Sequence, residues 1–483
     1  MSKKQDYKKA HLSNVGRRMS RRKFLGTASC AAIGSTTFLT SILNLGVANS
    51  LAGMTRPSIS SGGDYKALVC ILLAGGNDSF NMLVPRNGDY YTEYSNTRSN
   101  LALSQGDLLP INFTDSNGKQ FGLHPSMPEV QTLFNNNKLS FVSNVGTLVE
   151  PMTKTQYLNG SVPVPLGLLS HADQIQQWQT SIPQTRSSKG WGGRMADILH
   201  AGNGNQNISM NISLSGTNIF QVGNNATAYA IRASAGGSVG INVLEGTTTL
   251  DRALKSGAES LLAQQYQDIF KSTFTNKINH SQVNHEEFSA AINQAPLLAT
   301  SFSDNPVSAN MELIAKTIAV RDTLNVRRQT FFINFGGWDH HDGVLDNQVA
   351  MLSVVSKALS EFQAAMEELG IADCVTTFTA SDFGRTLTSN GNGSDHAWGG
   401  NVMVMGDSVN GGKIFGNYPS LALNGKDDIG GAILLPSIST DEYFAELSKW
   451  FGVSNGDLSY VLPNIGNFYD PNSTNLPIGF IRI

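Results

Sequence analysis

The sequence predicts an α/β protein with a mostly parallel central sheet and helices on both of its faces. Two observations carry that prediction. Short runs that are apolar at nearly every position recur along the chain, as strands buried on both sides require. Between them lie segments whose apolar residues recur at steps of three and four, the period of a helix with one buried stripe. Strands and helices that alternate in this way build parallel sheets.

The elements follow in order. Lys66–Ala74 (KALVCILLA) is the first strand, and it runs into Gly75-Gly76-Asn77-Asp78. Residues 139–145 (LSFVSNV) form a second. Residues 171–179 and 194–200 read as helices, and 207–214 (NISMNISL) alternates like a half-buried strand. Residues 225–246 are polar, small and glycine-containing, which reads as a loop or an edge hairpin. Helices are expected at about 255–272, 284–294 and 308–324. Residues 331–335 (FFINF) are another buried strand, ending in Gly336-Gly337-Trp338-Asp339. The clearest helix comes next. Val349, Leu352, Val355, Leu359, Phe362, Met366 and Leu369 fall at helical steps, and Gly370 stands where a left-handed cap belongs. Strands at 375–379 and 401–405 and a helix at 441–451 complete the series. The reading is one large domain over 65–483 with an insertion near 205–300, preceded by a Ser- and Gly-rich linker at 53–64.

Composition fits this reading. Of 483 residues 40% are hydrophobic and 15% are charged, enough apolar side chain for a sizeable core and too much for disorder. Three cysteines exclude a disulfide scaffold. Charge is unevenly placed. Residues 1–52 hold nine Lys or Arg and one acid, Asp6, which leaves 25 bases against 36 acids beyond them. So acidic a body repels phosphate backbones, and nucleic acid is not expected as a partner.

The basic start leads into Ser20-Arg21-Arg22-Lys23-Phe24-Leu25 and a weakly apolar run to about Ala48. This pattern resembles a twin-arginine export signal over 1–52, with cleavage after Ala48 or Ala52. The export machinery is then a partner, and the mature protein is periplasmic or secreted. Cys30 leaves with the signal. Cys70 and Cys374 remain, as two buried thiols or as one bridge.

Three strand ends carry the same kind of group: Asp78, Asp339 and Asp382. Ligands of open α/β sheets bind beyond the carboxyl ends of the strands, so neighbouring strands would bring these carboxylates together. His340 and His341 follow Asp339, and His396 lies in a glycine-rich loop after Asp382. Carboxylates and imidazoles in one cleft are ligands for a divalent ion, zinc or manganese, with calcium a third candidate.

The segments AGGNDSFNMLVP (74–85), GLLSHADQ (167–174), FGGWDHHD (335–342), SDFGRT (381–386) and SDHAWGG (394–400) together resemble the family called domain of unknown function 1501. That family is similar to the alkaline phosphatase and sulfatase superfamily. The resemblance implies an alkaline phosphatase-like α/β fold with a metal site at the strand ends. It matches Asp78, Asp339, His341, Asp382 and His396 to metal ligands. It also marks a departure, since Phe383 stands where the superfamily often has His. For a nucleophile it points to a hydroxyl at a helix N-terminus. Ser170 fits that place, with Ser79 and Thr147 as weaker alternatives. His171 is a substitute metal ligand, and Arg385 is a candidate anion-binding residue.

Two functions compete on these grounds. One is a metal-dependent hydrolase of small anionic phosphate or sulfate esters. The other is a non-catalytic exported binding or assembly protein on the same fold.

Overall fold

The computed structural model describes residues 65–240 and 248–483. The expected export signal and linker lie outside them. Twelve strands are present among the described residues. They are β1 (Lys66–Ala74), β2 (Leu83–Pro85), β3 (Leu109–Thr114), β4 (Gln120–Leu123), β5 (Leu139–Gly146), β6 (Asn211–Ser213), β7 (Tyr229–Ala230), β8 (Arg328–Gly336), β9 (Val375–Ser381), β10 (Gly400–Met405), β11 (Ile414–Phe415) and β12 (Ile438–Ser439).

Nine of them form the main sheet, in the order β11-β5-β10-β9-β1-β8-β6-β7 with β12 also on β5. β1 pairs in parallel with β8 along its whole length and with β9 along most of it. All pairings in this sheet are parallel except those of β10, which runs antiparallel to both β5 and β9. The small sheet β2-β4-β3 is antiparallel.

Side-chain alternation along β1 feeds two cores. Ala67, Val69, Ile71 and Leu73 pack with the helices Pro128–Asn135, Pro306–Ala319 and Val344–Glu368. Leu68, Cys70 and Leu72 pack on the other face with Trp178, Trp191 and Phe444, from helices His171–Thr180, Trp191–Leu199 and Thr440–Phe451. Trp191 and Phe444 stack with ring centroids 4.4 Å apart. Each such buried side chain contributes about 1.5–3 kcal/mol. Helix Val344–Glu368 buries Leu352, Val355, Leu359, Phe362 and Met366, and Gly370 follows it at φ +67°. Val349, expected on that stripe, is instead exposed. Cys70 and Cys374 are thiols and not a bridge.

Within residues 205–300, β6 and β7 join the main sheet. The helices in this stretch are Thr249–Leu262 and Ile269–Ile292, broken where 255–272 was read as continuous. The first buries none of its residues. No described helix is long and apolar enough to cross a membrane.

The topology explains what gathers at one edge. β1, β8 and β9 all end there, since they are parallel. β10 returns antiparallel, so the loop 382–399 between β9 and β10 stays at that edge. β5 runs antiparallel to β10 and therefore ends there too. Four segments far apart in sequence, after β1, β5, β8 and β9, thus share one surface.

Candidate metal centre

Two glycines let the β1 and β8 turns meet. Gly75 lies at φ +120°, and a Cβ there would stand 2.5 Å from the Asp339 backbone nitrogen. Gly76 lies at φ +85°, with the Phe383 ring where its Cβ would be. The bare backbone lets Asp339 reach the centre of the edge, where its Oδ1 is the hub.

Three imidazoles point at that oxygen. Asp339 Oδ1 lies 3.1 Å from His341 Nε2, 3.3 Å from His171 Nε2 and 3.4 Å from His396 Nε2. The Nε2 atoms of His341 and His396 are 2.9 Å apart. Each ring is held from behind through Nδ1. Asp382 Oδ2 accepts from His171 at 2.8 Å, Asp395 Oδ1 from His341 at 3.0 Å, and the Leu169 carbonyl from His396 at 2.8 Å. Leu169 takes φ +71°, an unfavourable conformation for a residue with a Cβ, and this aims its carbonyl. An oxygen that only accepts places the ring proton on Nδ1. With a cation bound, Nε2 would be the lone pair in each ring.

His171, Asp339 and His396 each offer a ligand atom within 4.8 Å of the other two, His341 Nε2 adjoins Asp339 and His396, and His171 Nε2 is buried with no hydrogen-bond partner. A cation is the partner this donor set fits. In a tetrahedral zinc site with bonds of about 2.0–2.1 Å, ligand atoms stand about 3.3 Å apart. The observed separations from Asp339 are close to that edge length. Nδ1 anchoring by carboxylate or carbonyl is also the usual way a protein orients metal-binding histidines.

The electrostatics agree. Burial pushes the Asp339 carboxyl up, but the Arg385 guanidinium outweighs it and holds the group down at about 2, to which His171 and His341 add only in their charged forms. Burial pushes the Asp382 carboxyl up, and its bonds from His171 and Gly75 act against that. Burial lowers the His396 pKa, against its bond to the Leu169 carbonyl, which raises it.

The expected residues divide on inspection. Asp339, His341, His396 and His171 converge. Asp382 reaches the same place but spends Oδ2 on His171 and Oδ1 on the Gly75 N–H at 3.1 Å. Asp78 is at the same edge but is 1% exposed and faces Arg98, whose Nη2 donates to its Oδ2 at 2.5 Å. Ser394 Oγ adds a second bond to that oxygen, at 3.0 Å.

Arg385 does not project as an anion hook. Its guanidinium is fully buried and donates to the carbonyls of Gly75, Gly76, Trp338 and Ser394 and to Asp339 Oδ1. Ser170 precedes helix His171–Thr180 without capping it through its side chain. Its hydroxyl helps, after Arg186, to hold the Asp173 carboxyl low, and no hydrogen bond ties it to the histidines. Ser79 Oγ accepts from the Asn401 N–H at 2.8 Å. Phe383 lies against both His171 and His396, with ring centroids 4.7 Å from each. Arg98, Ser394 and Asp395 were not legible as site residues. Only Asp395, beside His396, carried a local signal.

The sequence profile of a family described as "Protein of unknown function (DUF1501)" matches residues 65–430, and the chain belongs to that family. Three solved structures are similar to it at low identity. Ps i-CgsB, in complex with k-i-k-neocarrahexaose, is 10% identical, covers 84% of this chain and 78% of its own, and has a TM-score of 0.33. The PsFucS1 sulfatase from Pseudoalteromonas sp. is 11% identical, covers 93% and 77%, and has a TM-score of 0.34. A mutant of the alkaline phosphatase PafA is 10% identical, covers 68% and 64%, and has a TM-score of 0.24. No curated protein sequence matches the chain.

Proposed function

We propose that this DUF1501 protein is exported and is a metal-dependent hydrolase of small phosphate or sulfate esters. One observation supports this above the others: His171, Asp339 and His396 offer ligand atoms within 4.8 Å of one another, with His341 beside them, at a surface that solvent reaches at Asp339 and His341. The Asp339 side chain is 47% exposed and that of His341 45%. A divalent ion there would polarise an ester oxygen and lower the pKa of an attacking group. Zinc or manganese suits the nitrogen-rich set better than calcium, which prefers oxygen ligands.

The chain's own groups hold the geometry. Asp382, Asp395 and the Leu169 carbonyl keep the three rings in one tautomer. Arg385 fixes Asp339 and keeps it ionised. The Phe383 ring braces two of the imidazoles.

A second reading is favoured by the ligand count. Four protein ligands fill a tetrahedral shell, the habit of structural zinc sites. In that reading the protein binds or assembles, and the ion only stiffens it.

Turnover separates the two. The zinc- and manganese-loaded protein is screened against aryl phosphate monoesters, diesters and sulfates, beside Asp339→Asn combined with His341→Ala. Hydrolysis that the double variant loses supports the enzyme. Bound metal without turnover on any substrate replaces it with the binding protein. Export is tested by changing Arg21 and Arg22 to Lys and fractionating cells. A precursor held in the cytoplasm is the expected result, and full release of the variant contradicts the twin-arginine route.

A further inference from the structure

We infer that the strand-end site takes one divalent cation and not two, because the Arg98 guanidinium occupies the cation position at Asp78. The inference rests on the metal-centre reading above and deepens it.

Asp78 and Asp339 stand in similar turns at the same sheet edge, so a cation at each is the simple expectation. The Asp78 position is already filled. Arg98 comes from helix Gly88–Arg98, and its side chain is fully buried. Besides Asp78, it donates from Nε to Asn81 Oδ1 at 3.1 Å and from Nη1 to the carbonyls of Thr386 at 3.0 Å and Leu387 at 3.3 Å. Those acceptors come from two further segments, so the guanidinium cannot swing aside without leaving several of them unpaired. Asp78 Oδ1 is buried and makes no hydrogen bond. Asp339 also bonds a buried guanidinium, that of Arg385, but it is half exposed with three imidazole nitrogens within 3.4 Å, whereas a metal approaching Asp78 would face the Arg98 charge with little water to screen it.

The test counts ions. The full-length chain is titrated calorimetrically with zinc and, separately, with manganese, and its metal content is measured after dialysis. One ion per chain is expected. Two per chain overturn this inference and leave the metal centre standing. None overturns the metal centre, and this inference with it. Asp78→Asn combined with Arg98→Met removes both charges at similar volume. This variant should still bind one ion, with Kd within about threefold of the unchanged chain, since neither residue is a ligand. A loss of about a thousandfold, beyond what an outer-shell partner costs and at the upper end of one ligand's share, would make Asp78 a ligand and overturn the inference. The count in the unchanged chain decides the matter even if the variant does not fold.

Discussion

Asp78 and Asp339 look alike in sequence and behave differently in the fold. Each follows a buried parallel strand, a glycine pair and one more residue. Asp78 is 1% exposed and locked to Arg98, while Asp339 is half exposed and ringed by three imidazoles. Strand-end position brings a carboxylate to the edge, but the partners that meet it decide what it does. Both carboxylates bond a buried guanidinium, from Arg98 or from Arg385, but only Asp339 is also half exposed and beside three imidazoles, which is what makes it the candidate cation site.

Separating stability from metal affinity sharpens this contrast. Asp78→Asn leaves Arg98 buried and uncompensated, so unfolding free energy should fall by about 3–5 kcal/mol. Denaturant titration measures this, and metal affinity at the histidines should change little. His396→Ala is the opposite case. If four ligands share about 10–16 kcal/mol of zinc binding, one is worth roughly a hundredfold to a thousandfold in Kd. Apo stability should change far less than in Asp78→Asn. Equal effects of the two variants on affinity would break the contrast. Asp382→Asn should come next, with a loss of about 10–100-fold in affinity, because it removes the acceptor that orients His171.

A third buried carboxylate extends the comparison. Asp441 is fully buried, and neither of its oxygens makes a well-formed hydrogen bond. Burial pushes it up to about 8, and the Ser181 hydroxyl and Arg194 guanidinium nearby draw it only partly back. A carboxyl raised in the fold favours the protonated form. Its contribution to stability is therefore complete below about pH 4 and is lost as pH rises through about 8. The loss is at most about 1.4 kcal/mol per pH unit. Asp441→Asn should flatten this dependence, raising Tm at pH 8–9 with little effect at pH 4, as thermal melts across that range would show.

Much of the scaffold was legible in the sequence. β1, β8 and β9 announce themselves because strands covered on both faces are apolar at nearly every position. Helix Val344–Glu368 shows because one face is buried along most of its length. The direction of β10 was not legible, since an apolar run reads the same either way. The break between helices Thr249–Leu262 and Ile269–Ile292 was also hidden. Residues 263–268 contain neither Gly nor Pro, and only Asp268, whose side chain accepts from the Lys271 N–H, marks the restart.

In the site, acids at strand ends and histidines beside them could be read locally. Which acid pairs with which ring could not. His171 and Asp382 lie 211 residues apart, and the Arg98 guanidinium meets Asp78 from a helix with no apolar stripe to draw notice.

The central claim is a single ion held by His171, Asp339, His341 and His396. Crystals of the full-length chain grown with zinc, with diffraction recorded on both sides of the zinc absorption edge, test it most directly. The account predicts one anomalous peak among these residues, about 2.0–2.1 Å from the three Nε2 atoms and about 2.0–2.2 Å from Asp339 Oδ1. A peak against Asp78, with Arg98 displaced from it, would contradict the account, as would well-ordered histidines with no peak between them.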